Sequence, residues 1–238
     1  MQVLVDGGFV PAEAAVGAVP SVTVLADGTV ISAAAVPAIY PGPAITPLES
    51  TKVDGATVER LVDRARSLGL LEGPLEFGQP SVADAPDTTV TITAGGTTHR
   101  HAANALGIDG DDGVGARSGL TETEVANRRA LSTFVAATQN LPPGERAWVP
   151  TSVAVYGLGP YSADPEQPQN EVEWPLTAPP AVGDQSCTVV EGDEVTVLLD
   201  VLTQASARTP WLVDGTRQSL AFRPIVPGQP GCPNVPVK

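Results

Sequence analysis

The sequence predicts an α+β fold: antiparallel β-hairpins building sheets, packed with about three helices and stapled by a disulfide. Three observations carry this. Tight-turn pairs stand between alternating apolar runs at Asp27-Gly28, Gly95-Gly96 and Asp214-Gly215, where a two-residue turn needs positive φ. Three further stretches repeat apolar residues at helical spacing. The chain's two cysteines, Cys187 and Cys232, enclose the last helix and hairpin. With 24 Gly and 24 Pro in 238 residues, about one fifth of the chain is turn-forming, well above the usual share of roughly 12%. That argues against a helical bundle.

In order, residues 2–5 read as a strand ended by Asp6-Gly7-Gly8, and residues 21–32 as a hairpin. Residues 33–48 carry Pro37, Pro41, Pro43 and Pro47 and read as an irregular crossing segment anchored by Ile39, Tyr40 and Ile45. A helix over 54–68 follows, with Asp54 as N-cap, a stripe of Val58, Leu61, Val62, Ala65 and Leu68, and Gly69 just past its end. A Pro/Gly loop leads to the hairpin of TTVTIT (88–93) and TTHRHAAN (97–104). The helix over 122–141 opens with a Thr121/Glu124 capping box and stops at Pro142-Pro143-Gly144.

Residues 147–157 read as a strand. Residues 158–186 then hold six prolines and one Trp-centred patch, Glu173-Trp174-Pro175-Leu176; a loop this long is usually functional or disordered. Residues 191–206 read as a helix with Val195, Leu198, Leu199 and Leu202 on one face, its acidic start favoured by the helix dipole. A hairpin over 210–223 closes the set. Pro224, Pro227, Pro230, Pro233 and Pro236 recur every third residue, the period of polyproline II. The division expected is an N-terminal α+β domain over 1–144 and a C-terminal α+β domain over 145–238, packed as one body.

The segments VDGATVERLVD (53–63) and VEGDEVTVLLD (190–200) share five aligned residues. Either two helix-plus-hairpin units repeat in the chain, or the match is the Val/Leu spacing common to amphipathic helices. A Cys187–Cys232 bridge would pin the Pro-rich tail to the chain's own body; the alternative is two buried free thiols.

Formal net charge is −14, with 13 Lys and Arg against 27 Asp and Glu. A nucleic-acid binder needs a basic face, so nucleic acid is excluded as a partner. No run of about 18 apolar residues offers a transmembrane segment. The abrupt strand at Met1-Gln2-Val3-Leu4-Val5 is expected to be a mature region whose export segment has been removed. A disulfide fits an extracytoplasmic location.

Candidate chemistry is sparse. His99 and His101, two apart on a strand, point to one face and could share a metal; zinc chemistry would need a third ligand such as Asp84 or Asp87. Two exposed histidines on a hairpin are the alternative. Asp109, Asp111 and Asp112 suggest a calcium loop, but Gly113 and Leu120 break the EF-hand pattern, leaving a solvated acidic turn as the default. No nucleophile or phosphate-loop motif is present, and no cofactor is called for. Trp148, Trp174 and Trp211 are expected mainly as core; exposed, Trp174 and Trp211 would offer a binding surface.

The blocks GGFVP (7–11), VLADGTVI (24–31), YPGPA (40–44), ADAPDTTVT (83–91), EWP (173–175) and FRPIVPGQPGC (222–232) resemble those of a family of exported, often lipid-anchored, bacterial envelope proteins. The resemblance implies export and supplies no catalytic residue. The expected function is therefore a secreted or surface-anchored, monomeric, non-enzymatic binding module for an envelope protein or small ligand. A protein inhibitor or accessory subunit of an extracytoplasmic complex is the second reading, and a metal-dependent hydrolase using His99 and His101 the third.

Overall fold

The computed structural model describes residues 1–108, 119–183 and 186–232. The fold is α+β, with four helices and two sheets among the described residues. It divides into two compact units. The first comprises Met1–Val10, Pro20–Ala33 and Glu49–Ala147; the second comprises Pro11–Val19, Ala34–Leu48 and Trp148–Lys238.

The first unit is built on a seven-stranded sheet. Its strands are β1 (Gln2–Gly7), β2 (Val22–Val24), β3 (Thr29–Ala33), β4 (Leu48–Lys52), β5 (Pro86–Ala94), β6 (Thr97–Asn104) and β7 (Arg146–Trp148), in the order β6-β5-β1-β2-β3-β4-β7. The two hairpins fall where the turn residues place them, β2 with β3 and β5 with β6. Helices α2 (Gly55–Ser67) and α3 (Glu122–Gln139) pack Leu61, Ala65, Leu131 and Phe134 onto Val3, Val22, Val90 and Ile92. Asp54 caps α2 by accepting from the Thr57 amide, and the Thr121/Glu124 capping box closes both ways on α3.

Arg128, on the buried face of α3, has no solvent exposure. Its guanidinium donates to the carbonyls of Phe77 (3.2 Å) and Asn104 (2.6 Å). It thereby ties α3 to the loop after α2 and to the end of β6. Burial lowers its affinity for its proton, and the nearby Glu124 opposes that.

The second unit is built on a five-stranded sheet of β8 (Ser152–Pro160), β9 (Val172–Glu173), β10 (Ser186–Glu191), β11 (Pro210–Val213) and β12 (Thr216–Pro224), ordered β10-β8-β12-β11-β9. Pairing is antiparallel except for β9 on β11. Helix α4 (Asp193–Leu202) buries Val195, Leu198 and Leu202 against Val153, Val155, Trp211 and Phe222. The intervening residues of β8, Ala154 and Tyr156, point the other way and meet Val16 of the short helix α1 (Ala12–Val16). Both faces of β8 are thus covered, which is why SVAVYG reads as a continuous apolar run and not as an alternating one.

Several expectations are corrected. The strand over 147–157 is two strands, β7 and β8, parted at Pro150, which cannot donate to a ladder. The last helix is shorter than 191–206, because Ser186–Glu191 form β10 and Gly192 becomes the N-cap. In the crossing segment, Ala44 is buried and Ile45 half-buried, bridging to Phe222, while Ile39 and Tyr40 are exposed. As far as Cys232 the tail does not run as polyproline II: Pro224 ends β12, and a turn with Gly228 at φ +89° follows; Pro233 and Pro236 lie outside the described residues. Helix-then-hairpin order recurs in both units, but the hairpins join their sheets differently. The first strand, β5, pairs inward on β1 in one unit; the second strand, β12, pairs inward on β8 in the other.

Cys187 and Cys232 form the expected disulfide, with their Cα atoms 5.8 Å apart, within the usual bridging range. Beside it lies a second clamp. Arg223 is buried on β12, and its guanidinium donates to Gln229 Oε1 (3.1 Å), to the Pro230 carbonyl (2.9 Å) and to the Gly231 carbonyl (2.8 Å). The tail is thus held by charge-assisted hydrogen bonds just before the disulfide. Arg223→Met is expected to leave the disulfide closed while amide exchange at Gln229 and Gly231 speeds up by roughly tenfold or more; unchanged exchange at both would remove Arg223 from this role.

Candidate functional site

A cleft in the second unit gathers the Trp-centred patch. Its rear wall is set by core packing. Trp211 on β11 is fully buried, with its ring centroid 5.0 Å from Phe222. Trp174 and Trp211 meet in a T-shaped pair, with centroids 6.2 Å apart and planes at 71°. Two hydrogen bonds fix Trp174 further. Its backbone N–H donates to the Leu212 carbonyl (3.0 Å), extending the parallel pairing of β9 with β11. Its indole Nε1–H donates to the Ala178 carbonyl (2.8 Å), closing the EWPL loop on itself. The half-buried indole is therefore a preformed wall.

The cleft has a volume of about 250 Å³ and is lined by Glu173, Trp174, Leu176, Pro179, Leu212 and Asp214, among others. Asp214 (φ +49°) and Gly215 (φ +73°) make the hairpin turn at its mouth, a geometry with positive φ at both central residues that favours Asp-Gly. Glu171, two residues before Glu173, is paired with Arg217. Among the described residues, Glu173 and Asp214 take part in no ion pair. The cleft thus presents one oriented aromatic surface and two free carboxylates.

Two further clefts, of about 260 and 320 Å³, flank α1 within the same unit and share Glu13, Ala207 and Leu220 in their walls. Arg208, the one cation among the described residues lining them, is already engaged: its Nη1 donates to Tyr40 Oη (3.1 Å).

The other candidates are placed as follows. His101 is a core residue: Nε2 lies 2.8 Å from the Leu70 carbonyl, fixing Nε2 as the donor, and the ring meets Phe77 edge-on at 5.8 Å. Its Nδ1 is buried without a hydrogen-bond partner. His99 lies on the same face of β6, opposite Ile92, and is only half-buried. Asp87 accepts from Asn104 Nδ2 (3.0 Å). Among the described residues, no group of three His, Cys, Asp or Glu side chains could hold a metal ion. Asp109, Asp111 and Asp112 lie outside the described residues. Trp211 is enclosed in the core and offers no surface, whereas Trp174 does. Among the described residues, no helix is long and apolar enough to cross a membrane.

Among the perturbed carboxylates of the first unit, Asp6 is shifted upward. Burial, with Asp87 nearby, raises the pKa of Asp6, and Arg100 partly offsets this. A raised folded-state pKa means that the ionised form costs stability once both states have lost the proton. Asp6→Asn is therefore expected to raise the melting temperature slightly at pH 7. The gain should fade as pH falls through the raised folded-state pKa of Asp6 and be gone below the unfolded value of about 3.9, where Asp6 is neutral in both states. Melting curves at pH 7 and pH 3 check this; a loss of stability at pH 7 would contradict it.

Compared with protein-family models, with curated proteins and with solved structures, the chain matches none. The site is accordingly read from its own residues.

Proposed function

We propose that this chain is an exported, non-enzymatic binding module, secreted or anchored at the cell surface, which takes its ligand in the Trp174 cleft. The observation that carries the reading is the pre-set indole of Trp174. A half-exposed aromatic locked by two hydrogen bonds and an edge-to-face contact binds without the cost of ordering a mobile side chain. Its position in the long β8–β10 connection fits the tendency of such loops to carry function. The Cys187–Cys232 disulfide supports an oxidising compartment.

The test is capture from the native envelope fraction on immobilised wild-type protein and, in parallel, on Trp174→Ala. The expected result is a species retained by the wild type and lost from the variant, with circular dichroism showing both proteins folded at the temperature of capture. Equal retention by the two would remove the cleft from the function.

A further inference from the structure

We infer that the Trp174 cleft receives a cationic side chain, arginine or lysine, from a basic peptide segment of a partner protein. This rests on the reading of the cleft as the ligand site and names the chemistry of what enters it.

Three observations converge. The first is the indole face, held in place by the Leu212 and Ala178 carbonyls; aromatic faces attract ammonium and guanidinium groups through the ring quadrupole. The second is the local charge. Glu173 and Asp214 line the cleft together, and neither has an ion-pair partner among the described residues, although Glu171 close by on the same sheet edge has taken Arg217. Arg217 of β12 is thus engaged by Glu171, and among the described residues Glu173 and Asp214 remain available. The third is the field of the whole chain. A net charge of −14 draws cations in and repels anions.

The alternative occupants fit less well. An anionic group would meet two carboxylates with no cation among the described residues lining the cleft to receive it. A neutral sugar could stack on the indole, but would leave both carboxylates without a countercharge. An arginine side chain satisfies both requirements, because its planar guanidinium can stack on an aromatic face and donate to a carboxylate at its edge.

The experiment is calorimetric titration of the full chain with three blocked peptides of equal length, carrying arginine, glutamine or glutamate at the centre, and with a neutral oligosaccharide, at low and at physiological salt. The expected result is saturable binding of the arginine peptide alone, weakened by salt. Trp174→Ala should weaken it by roughly fivefold or more, the scale of one cation–aromatic contact. Glu173→Gln with Asp214→Asn should weaken it and flatten the salt dependence while leaving the melting temperature unchanged. Saturable, salt-independent binding of the oligosaccharide, lost in Trp174→Ala, would keep the cleft as a ligand site and overturn its cationic specificity. Binding of the arginine peptide that survives both variants would place the cation elsewhere and overturn the inference. Failure of every probe to bind at millimolar concentration overturns it too.

Discussion

Replacing Cys187 and Cys232 together by serine is expected to lower the melting temperature of the second unit by roughly 10 °C under oxidising conditions. The disulfide closes a sequence separation of 45 residues. The chain-entropy estimate for a loop of that length is about 4 kcal/mol, and each kcal/mol moves the melt by roughly 2–4 °C for a chain of this size. The wild type in reducing buffer should fall to the same temperature, and the double variant should not respond to reductant. Arg223 limits the damage, because its bonds to Gln229, Pro230 and Gly231 keep the tail near β10 after the covalent link is gone. Combining Arg223→Met with the cysteine changes is therefore expected to cost more than the two losses added separately. A calorimetric melt decides this, and an unchanged transition in the double serine variant would show that the bridge constrains nothing that matters to folding.

Arg128→Ala is expected to destabilise the first unit by about 4 kcal/mol. The change leaves the carbonyls of Phe77 and Asn104 without their donor, at about 1–3 kcal/mol for each buried group left unpaired. It also opens a cavity where the side chain lay fully enclosed. Arg128→Lys should recover only part of this, since a single ammonium cannot reproduce the forked reach of a guanidinium to two separate carbonyls. Urea denaturation gives the number. A loss below about 1 kcal/mol would mean that water takes over both carbonyls and that the tie between α3, the loop and β6 is not structural.

The elements with strong local signatures were legible in the chain. Asp27-Gly28, Gly95-Gly96 and Asp214-Gly215 each turn a hairpin, and Asp54 and the Thr121/Glu124 pair each cap the helix expected of them. What escaped had no local signature. Strand β10 is six residues with no turn pair of its own, and its last residue, Glu191, stands with Asp193 and Glu194 as if part of an acidic helix start. The joining of Pro11–Val19 and Ala34–Leu48 to the C-terminal unit rests on contacts distant in sequence, such as Ile45 with Phe222.

The two buried arginines look like surface residues by type alone. Arg128 could have been found: it lies on the same stripe as Leu131, Phe134 and Thr138, the buried side of α3. Arg223 could have been found too, because it follows Leu220, Ala221 and Phe222 in a strand apolar on both faces, where no side chain reaches water easily. Of the site, Trp174 was visible as the one aromatic in a proline-rich loop. Its partnership with Glu173 was visible by adjacency, but Asp214 comes from a hairpin forty residues on and joins only through β11.

Ligand binding in this protein is proposed to be felt first at Trp174. With the three tryptophan indoles ¹⁵N-labelled, the arginine peptide is expected to shift the Trp174 Nε1–H resonance progressively to saturation while Trp148 stays in place and Trp211, enclosed in the core, moves little. Saturation of binding with the Trp174 signal unmoved would contradict it.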